Sequence, residues 1–267
     1  MQRYILNFKL KKRFKVLFTA SFFILLANIT ATFVILQPAG PNQDELMIKH
    51  RKNKKPWPTK DAMVQVYEKN LWGGNQSEFY SGDGSHYPAL VAPYLAVVSK
   101  FFTSFKASPV VCDLGCGDFN IGKELVKYTK KYSAVDIVPR LIEHHKNNFS
   151  AENLEFHCLN IATDNVPPGD CAILRQVLQH LSNAEIAKVA EKLNYYKYVI
   201  LTEHVPQGDF TPNIDIISGQ GIRLKKNSGV NLLAAPFNFK VKEERHLVSL
   251  VPENKKGVIV TMLYQVF

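Results

Sequence analysis

Apolar residues recur along this chain in three rhythms. Residues 16–36, VLFTASFFILLANITATFVIL, form an uncharged run of 21 residues. Crossing a bilayer takes about 20 apolar residues in a helix, whereas the apolar core of a cleaved signal is about 7–15 residues. The run is therefore expected to be one transmembrane anchor. From residue 61 onward the pattern becomes alternating helix and strand signals. Helical spacing predicts helices over 61–71 and 87–105. Short apolar runs predict strands at 110–114 and at about 132–137, 154–159, 171–174 and 198–202. Further helices are expected after the glycine turn to about Tyr128, over 139–148 with Pro139 in its first turn, and from a Ser182 or Asn183 cap to about Leu193. Two late β runs, about 239–250 and 258–266, have no helix of normal length between them.

Alternating β and α units imply a parallel sheet covered on both faces. The closing pair, joined by a short 252–257 turn, implies an antiparallel edge. The expected fold is α/β: a Rossmann-like, seven-stranded, mostly parallel sheet with an antiparallel edge and helices on both faces, preceded by one transmembrane helix. The expected organisation is a basic tail at 1–15, the anchor at 16–36, a proline-containing linker at 37–60 and the α/β domain at 61–267.

Charge changes this picture in one respect. The chain carries a net charge of +10, and residues 1–60 hold 12 Lys/Arg against 2 Asp/Glu. Residues 61–267 hold 21 of each, so the α/β domain is neutral. A neutral body argues against a nucleic-acid partner, whose phosphates ask for a basic face. The lysines and arginines before residue 16 favour a cytoplasmic N-terminus, while Lys49, Arg51, Lys52, Lys54 and Lys55 pull the other way. The expected placement is thus single-pass in a membrane, with the side of the domain open. Cys112, Cys116, Cys158 and Cys171 lack the paired spacing of a zinc site. They are expected to be reduced, and no metal is expected.

The chemistry-bearing motif is Asp113-Leu-Gly115-Cys-Gly117-Asp-Phe-Asn120, between a strand and a helix. Glycines at such a turn let a ligand approach the backbone, and the helix start supplies oriented N–H groups. Asp136 ends the next strand, 21 residues after Gly115, near the spacing at which a carboxylate meets ribose hydroxyls. The third glycine of a dinucleotide motif is missing. A nicotinamide-dependent oxidoreductase and a catalytically silent cofactor-binding scaffold remain alternatives to a group-transfer enzyme at this level.

VCDLGCGDFN resembles the first motif of class I S-adenosylmethionine-dependent methyltransferases. AVDIVPRLIEHHKNNF resembles their second motif and its helix, ILRQVLQHLSNAEI the fourth-strand motif and YVILTEHVP the fifth. LWGGNQSEFYSGDGSHY, NIDIISGQGIRL and SGVNLLAAPFNF resemble blocks of a bacterial-type branch. The resemblance spans about residues 65–267 and implies S-adenosyl-L-methionine as cofactor. It implies that Gly115 and Gly117 bracket the methionine moiety and that Asp113 contacts its ammonium. Asp136 would bind the ribose, Asn160 and Ile161 the adenine, and Gln176 the sulfonium side.

His180 and His204 follow strands where an open α/β sheet builds its ligand site. Either is expected as the base that removes a hydroxyl proton, and Asp215 and Arg223 are expected to orient the acceptor. The acceptor is expected to be polar, with a glycan favoured. The glycine- and aromatic-rich stretch 72–87 is expected to close over the cofactor as a lid.

Overall fold

The computed structural model describes residues 56–74, 79–253 and 256–267, all within a unit spanning Lys55–Phe267. The expected tail, anchor and most of the linker lie outside the described residues. The first helix among the described residues, α1 (Thr59–Glu68), begins inside the expected linker.

The sheet follows the chain in a βα rhythm. After α2 (Pro88–Thr103) come β1 (Val110–Leu114), the single turn α3 (Gly122–Leu125), β2 (Lys131–Asp136), α4 (Pro139–Asn148), β3 (Leu154–Cys158), β4 (Cys171–Arg175), α5 (Asn183–Leu193), β5 (Tyr198–Val205), β6 (Glu243–Leu250) and β7 (Val258–Gln265). The strand order is β3-β2-β1-β4-β5-β7-β6. The first five strands are parallel. β7 inserts antiparallel between β5 and β6. The doubly wound dinucleotide fold orders its strands 3-2-1-4-5-6, so the antiparallel insertion separates this sheet from that one.

Side chains alternate across the sheet. Cys112, Leu114, Ala172 and Leu174 join one core with α5 residues Ile186, Val189 and Leu193. Val111, Ala134, Cys171 and Ile173 join the other, against Tyr94, Val98 and Phe102 of α2. Helices therefore cover both faces. Ser182 caps α5, its side chain accepting the Glu185 N–H.

Two sequence expectations change. The helix expected to run to Tyr128 is one α-turn followed by a 3₁₀ turn, Val126–Tyr128. Gly122 lies against Phe119, where an added Cβ would come within 2.3 Å of the ring. The single-pass membrane placement is also corrected. Among the described residues no helix is long and apolar enough to cross a membrane. The longest, α2, has 16 residues, about 24 Å against a bilayer core of about 30 Å, and its apolar face packs on the sheet. Residues 16–36 lie outside the described residues.

Cys112 and Cys171 are buried, Cys116 is half-buried and Cys158 exposed, and all four are free thiols.

Candidate functional site

A cavity of about 1020 Å³ opens where β1, β2, β4 and β5 end. It sits at the top of the roughly 300–1,000 Å³ span of ligand pockets, enough for a cofactor and an acceptor together. Asp113, Gly115, Gly117, Asp136, Asn160, Ile161, Gln176, His180 and His204 all line it. Asp215 and Arg223 do not.

The β1 turn explains the two glycines. Gly115 has φ +90° and Gly117 φ +55°, a region where L side chains are strained. A Cβ on Gly115 would come within 2.5 Å of Val177 Cγ2, and one on Gly117 within 2.4 Å of Ser81 Oγ. The turn is pinned by the Gly115 and Cys116 N–H groups donating to the Val135 carbonyl. At the tip of β2, Asp136 accepts from the Gly117 N–H at 3.2 Å and the Val138 N–H at 3.0 Å. Each carboxylate oxygen keeps a further acceptor site, so hydroxyl donors fit there. Burial pushes Asp136 up to about 6, against the pull of those N–H donors.

Asp113 accepts from the Tyr132 hydroxyl at 2.8 Å through Oδ2. Burial pushes it up to about 7, the Tyr132 bond opposing. Beyond β3, Asn160 Oδ1 accepts the Ala162 N–H at 2.9 Å, and the Ile161 carbonyl is held by Lys192 Nζ at 2.9 Å. Gln176 adopts φ 58°, and its N–H donates to the Thr202 carbonyl at 2.6 Å.

Residues 79–87 form one wall. Three residues that sequence reasoning passed over hold it there. Asp118 Oδ2 accepts from the Ser81 N–H and from His86 Nε2, both at 2.6 Å. Asn120 Nδ2 donates to the Ser85 carbonyl at 2.7 Å. Arg175 Nη2 donates to the Gly84 carbonyl at 2.5 Å. The signal available was the GDFN tail of the glycine motif, but its partners lie 37 residues upstream, where no local pattern links them.

The two histidines differ. His180 is buried, with Nδ1 at 3.1 Å from the Gly219 carbonyl and Nε2 at 3.2 Å from Gln179 Nε2. A carbonyl only accepts, so Nδ1 carries the proton. Burial lowers the imidazole to about 4, leaving it neutral and weakly basic. Its ring lies 5.0 Å from Trp72. His204 Nε2 lies 2.8 Å from the Lys256 carbonyl, and the same logic makes Nε2 the donor in that bond. Its own N–H donates to Gln179 Oε1 at 3.0 Å.

The acceptor-orienting expectation for Arg223 and Asp215 is corrected. Arg223 is 1% exposed. It donates to the carbonyls of Ile214, Leu178, Gln179 and Leu181 and to Asn183 Oδ1. Its whole fork is used to tie 214–223 to the turn after β4. Asp215 Oδ1 accepts the Asn183 N–H at 2.7 Å at the start of α5. Glu203 belongs to the same scaffold, accepting the Leu178 and Gln179 N–H groups at 3.0 and 2.8 Å.

Residues 111–195 match a family model described as a methyltransferase domain. No curated protein is similar enough to the chain to match. The fold is similar to the N-methyltransferase NodS from Bradyrhizobium japonicum WM9 in complex with S-adenosyl-L-homocysteine, with TM-score 0.55 and 11% identity over 77% of this chain and 99% of that one. It is also similar to an S-adenosylmethionine-dependent methyltransferase from Leishmania major, with TM-score 0.53 and 15% identity over 83% of this chain and 91% of that one. With the glycine cradle, the β2 carboxylate and the inserted antiparallel strand in place, residues 111–195 are a methyltransferase domain, and the chain has the fold of S-adenosylmethionine-dependent methyltransferases.

Proposed function

We propose that the chain transfers a methyl group from S-adenosylmethionine to an oxygen of a polar acceptor, with a glycan as the favoured class. When bound, the cofactor supplies a sulfonium-activated methyl group, so the protein's work is positioning and proton removal. Gly115 and Gly117 leave room for the methionine portion. Asp136 takes the ribose hydroxyls, Asn160 and Ile161 flank the adenine, and Gln176 borders the sulfonium side.

The acceptor end of the cavity is lined by Trp72, Gln179, Gln207, Gln220 and Asn227. An aromatic face among amides suits a hydroxyl-rich ligand, since amides both donate and accept. The observation that carries the oxygen reading is His204. Its ring lines the cavity while the Lys256 carbonyl holds the Nε2 proton. An imidazole lining the cavity suits removal of a hydroxyl proton near neutral pH. His180, neutral and engaged at both nitrogens, serves as a positioning residue beside Trp72.

The test is transfer of label from methyl-labelled S-adenosylmethionine to a panel of oligosaccharides, small metabolites and proteins. Labelled oligosaccharide supports the proposal. Label only in metabolites or proteins overturns the glycan class, and label only on nitrogen or sulfur overturns the oxygen reading. For stretch 72–87, S-adenosylhomocysteine should slow proteolysis within it. Unchanged cleavage would remove the lid role.

A further inference from the structure

Arg175 is a buried cation that forms no ion pair among the described residues. It is 9% exposed and lines the cavity. Its contacts are with neutral groups: the Gly84 carbonyl at 2.5 Å, Ser85 Oγ at 3.2 Å, Gln176 Oε1 at 3.3 Å and the Tyr94 ring at 4.8 Å. Its Nε has no hydrogen-bond partner. Taking a cation out of water without an opposite charge is costly.

Asp113 stands beside it. β1 and β4 pair in parallel with Asp113 opposite Ile173, so Arg175 is two residues further along the neighbouring strand and points to the same face. Asp113 influences the charge of Arg175, yet the two form no ion pair within 4.0 Å among the described residues. Asp113 lines the cavity, and its bond from the Tyr132 hydroxyl engages Oδ2. Opposite charges held side by side but unpaired are complementary to a ligand that carries both signs on adjacent groups. An α-amino acid end is such a ligand.

Resting on the cofactor reading above, we propose that Arg175 is the residue that binds the carboxylate of the cofactor's amino-acid group, while Asp113 faces its ammonium. The two long contacts of Nη1, to Ser85 and Gln176, are the ones a carboxylate would replace. The short Nη2 bond to Gly84 would remain, so the same guanidinium joins the 79–87 wall to the ligand.

The test is calorimetric binding by the full chain of S-adenosylhomocysteine, its decarboxylated counterpart and methylthioadenosine, which lacks the amino-acid group. The wild-type protein should prefer S-adenosylhomocysteine to the decarboxylated ligand by about 10- to 100-fold, the range of a charge-assisted bond. Arg175→Met should remove that preference and leave methylthioadenosine binding within about twofold, with Arg175→Lys in between. Equal binding of the two amino-acid ligands by the wild type overturns the inference without any variant. So does an Arg175→Met protein that loses all three ligands alike, which would make Arg175 only a tie for the wall. A wild-type protein that binds none of the three overturns the cofactor reading as well.

Discussion

The two ends of the cavity are built by different means. The end proposed to hold the cofactor stands on the tips of β1 and β2, within 24 residues of chain from Asp113 to Asp136. Its parts are a glycine turn and two carboxylates, each positioned by its own strand. The end proposed for the acceptor is assembled from the end of β5, the long segment 206–242 and residues 256–257 before β7. It is held by side chains used as struts: Arg223 on four carbonyls, Glu203 on two N–H groups, and Asn213 bridging to Asn231 through both its Nδ2 and Oδ1. Short, strand-anchored elements suit a ligand shared by many proteins. A long strutted loop suits a ligand that differs from one protein to another.

Four expected outcomes can break or sharpen this contrast. The largest belongs to the acceptor end. His204→Gln should lower kcat by about 10²–10⁴-fold, the span of general-base catalysis, with S-adenosylhomocysteine affinity within about twofold. Steady-state kinetics alongside calorimetry checks this, and an unchanged kcat would remove His204 as base. Next, at the cofactor end, Asp136→Ala should weaken S-adenosylhomocysteine binding by about 100-fold, as expected for losing two hydroxyl bonds to a charged group. Affinity left intact would undo the assignment of the ribose site.

A smaller effect is expected at the turn. Gly115→Ala combines a left-handed φ with a Cβ against Val177, and should cost about 1–3 kcal/mol of stability. Val177→Ala on the same background relieves the clash but not the φ strain, so thermal unfolding should recover only part of the loss. Full recovery would show the conformation itself to be unstrained.

The smallest effect is on pH. Asp113, at about 7 in the ligand-free fold, is ionised above that pH and protonated below it. Only the ionised form attracts an ammonium, so S-adenosylhomocysteine affinity should fall several-fold from pH 8 to pH 6, approaching roughly tenfold per unit below the pKa. In Asp113→Asn that dependence should flatten to what Asp136 contributes. The ligand-free fold shows the opposite sign. Its carboxyl holds the proton more tightly than the unfolded value of 3.8, so this group's contribution to stability is lost as pH rises from about 4 through about 7. A melting temperature that climbed over that interval in the wild type and in Asp113→Asn alike would exclude this contribution.

Much of the cofactor end was legible in the chain because its determinants are local. A run of apolar residues, a glycine turn and an acid at the next strand tip follow from neighbours within one βα unit. Arg175 was not legible. In ILRQ it reads as the end of a strand, and its importance comes from Asp113 on the adjacent strand and from Gly84 and Ser85, some 90 residues away. Arg223 and Asp215 misled for the same reason. A charged residue in a polar loop suggests a ligand contact, and nothing local tells that backbone carbonyls and a helix start have taken it up. The helix expected after the glycine turn is one α-turn and a 3₁₀ turn, and no local signal in the motif marks that early stop.

The sequence by itself determined the order of helices and strands and the parallel sheet with an antiparallel closing pair, because hydrophobic period and turn chemistry act over a few residues, while its resemblance to methyltransferase motifs implied the cofactor. The tertiary structure alone decided which charges are struts and which face the cavity. Burial and hydrogen-bond saturation depend on groups that meet only once the chain has folded.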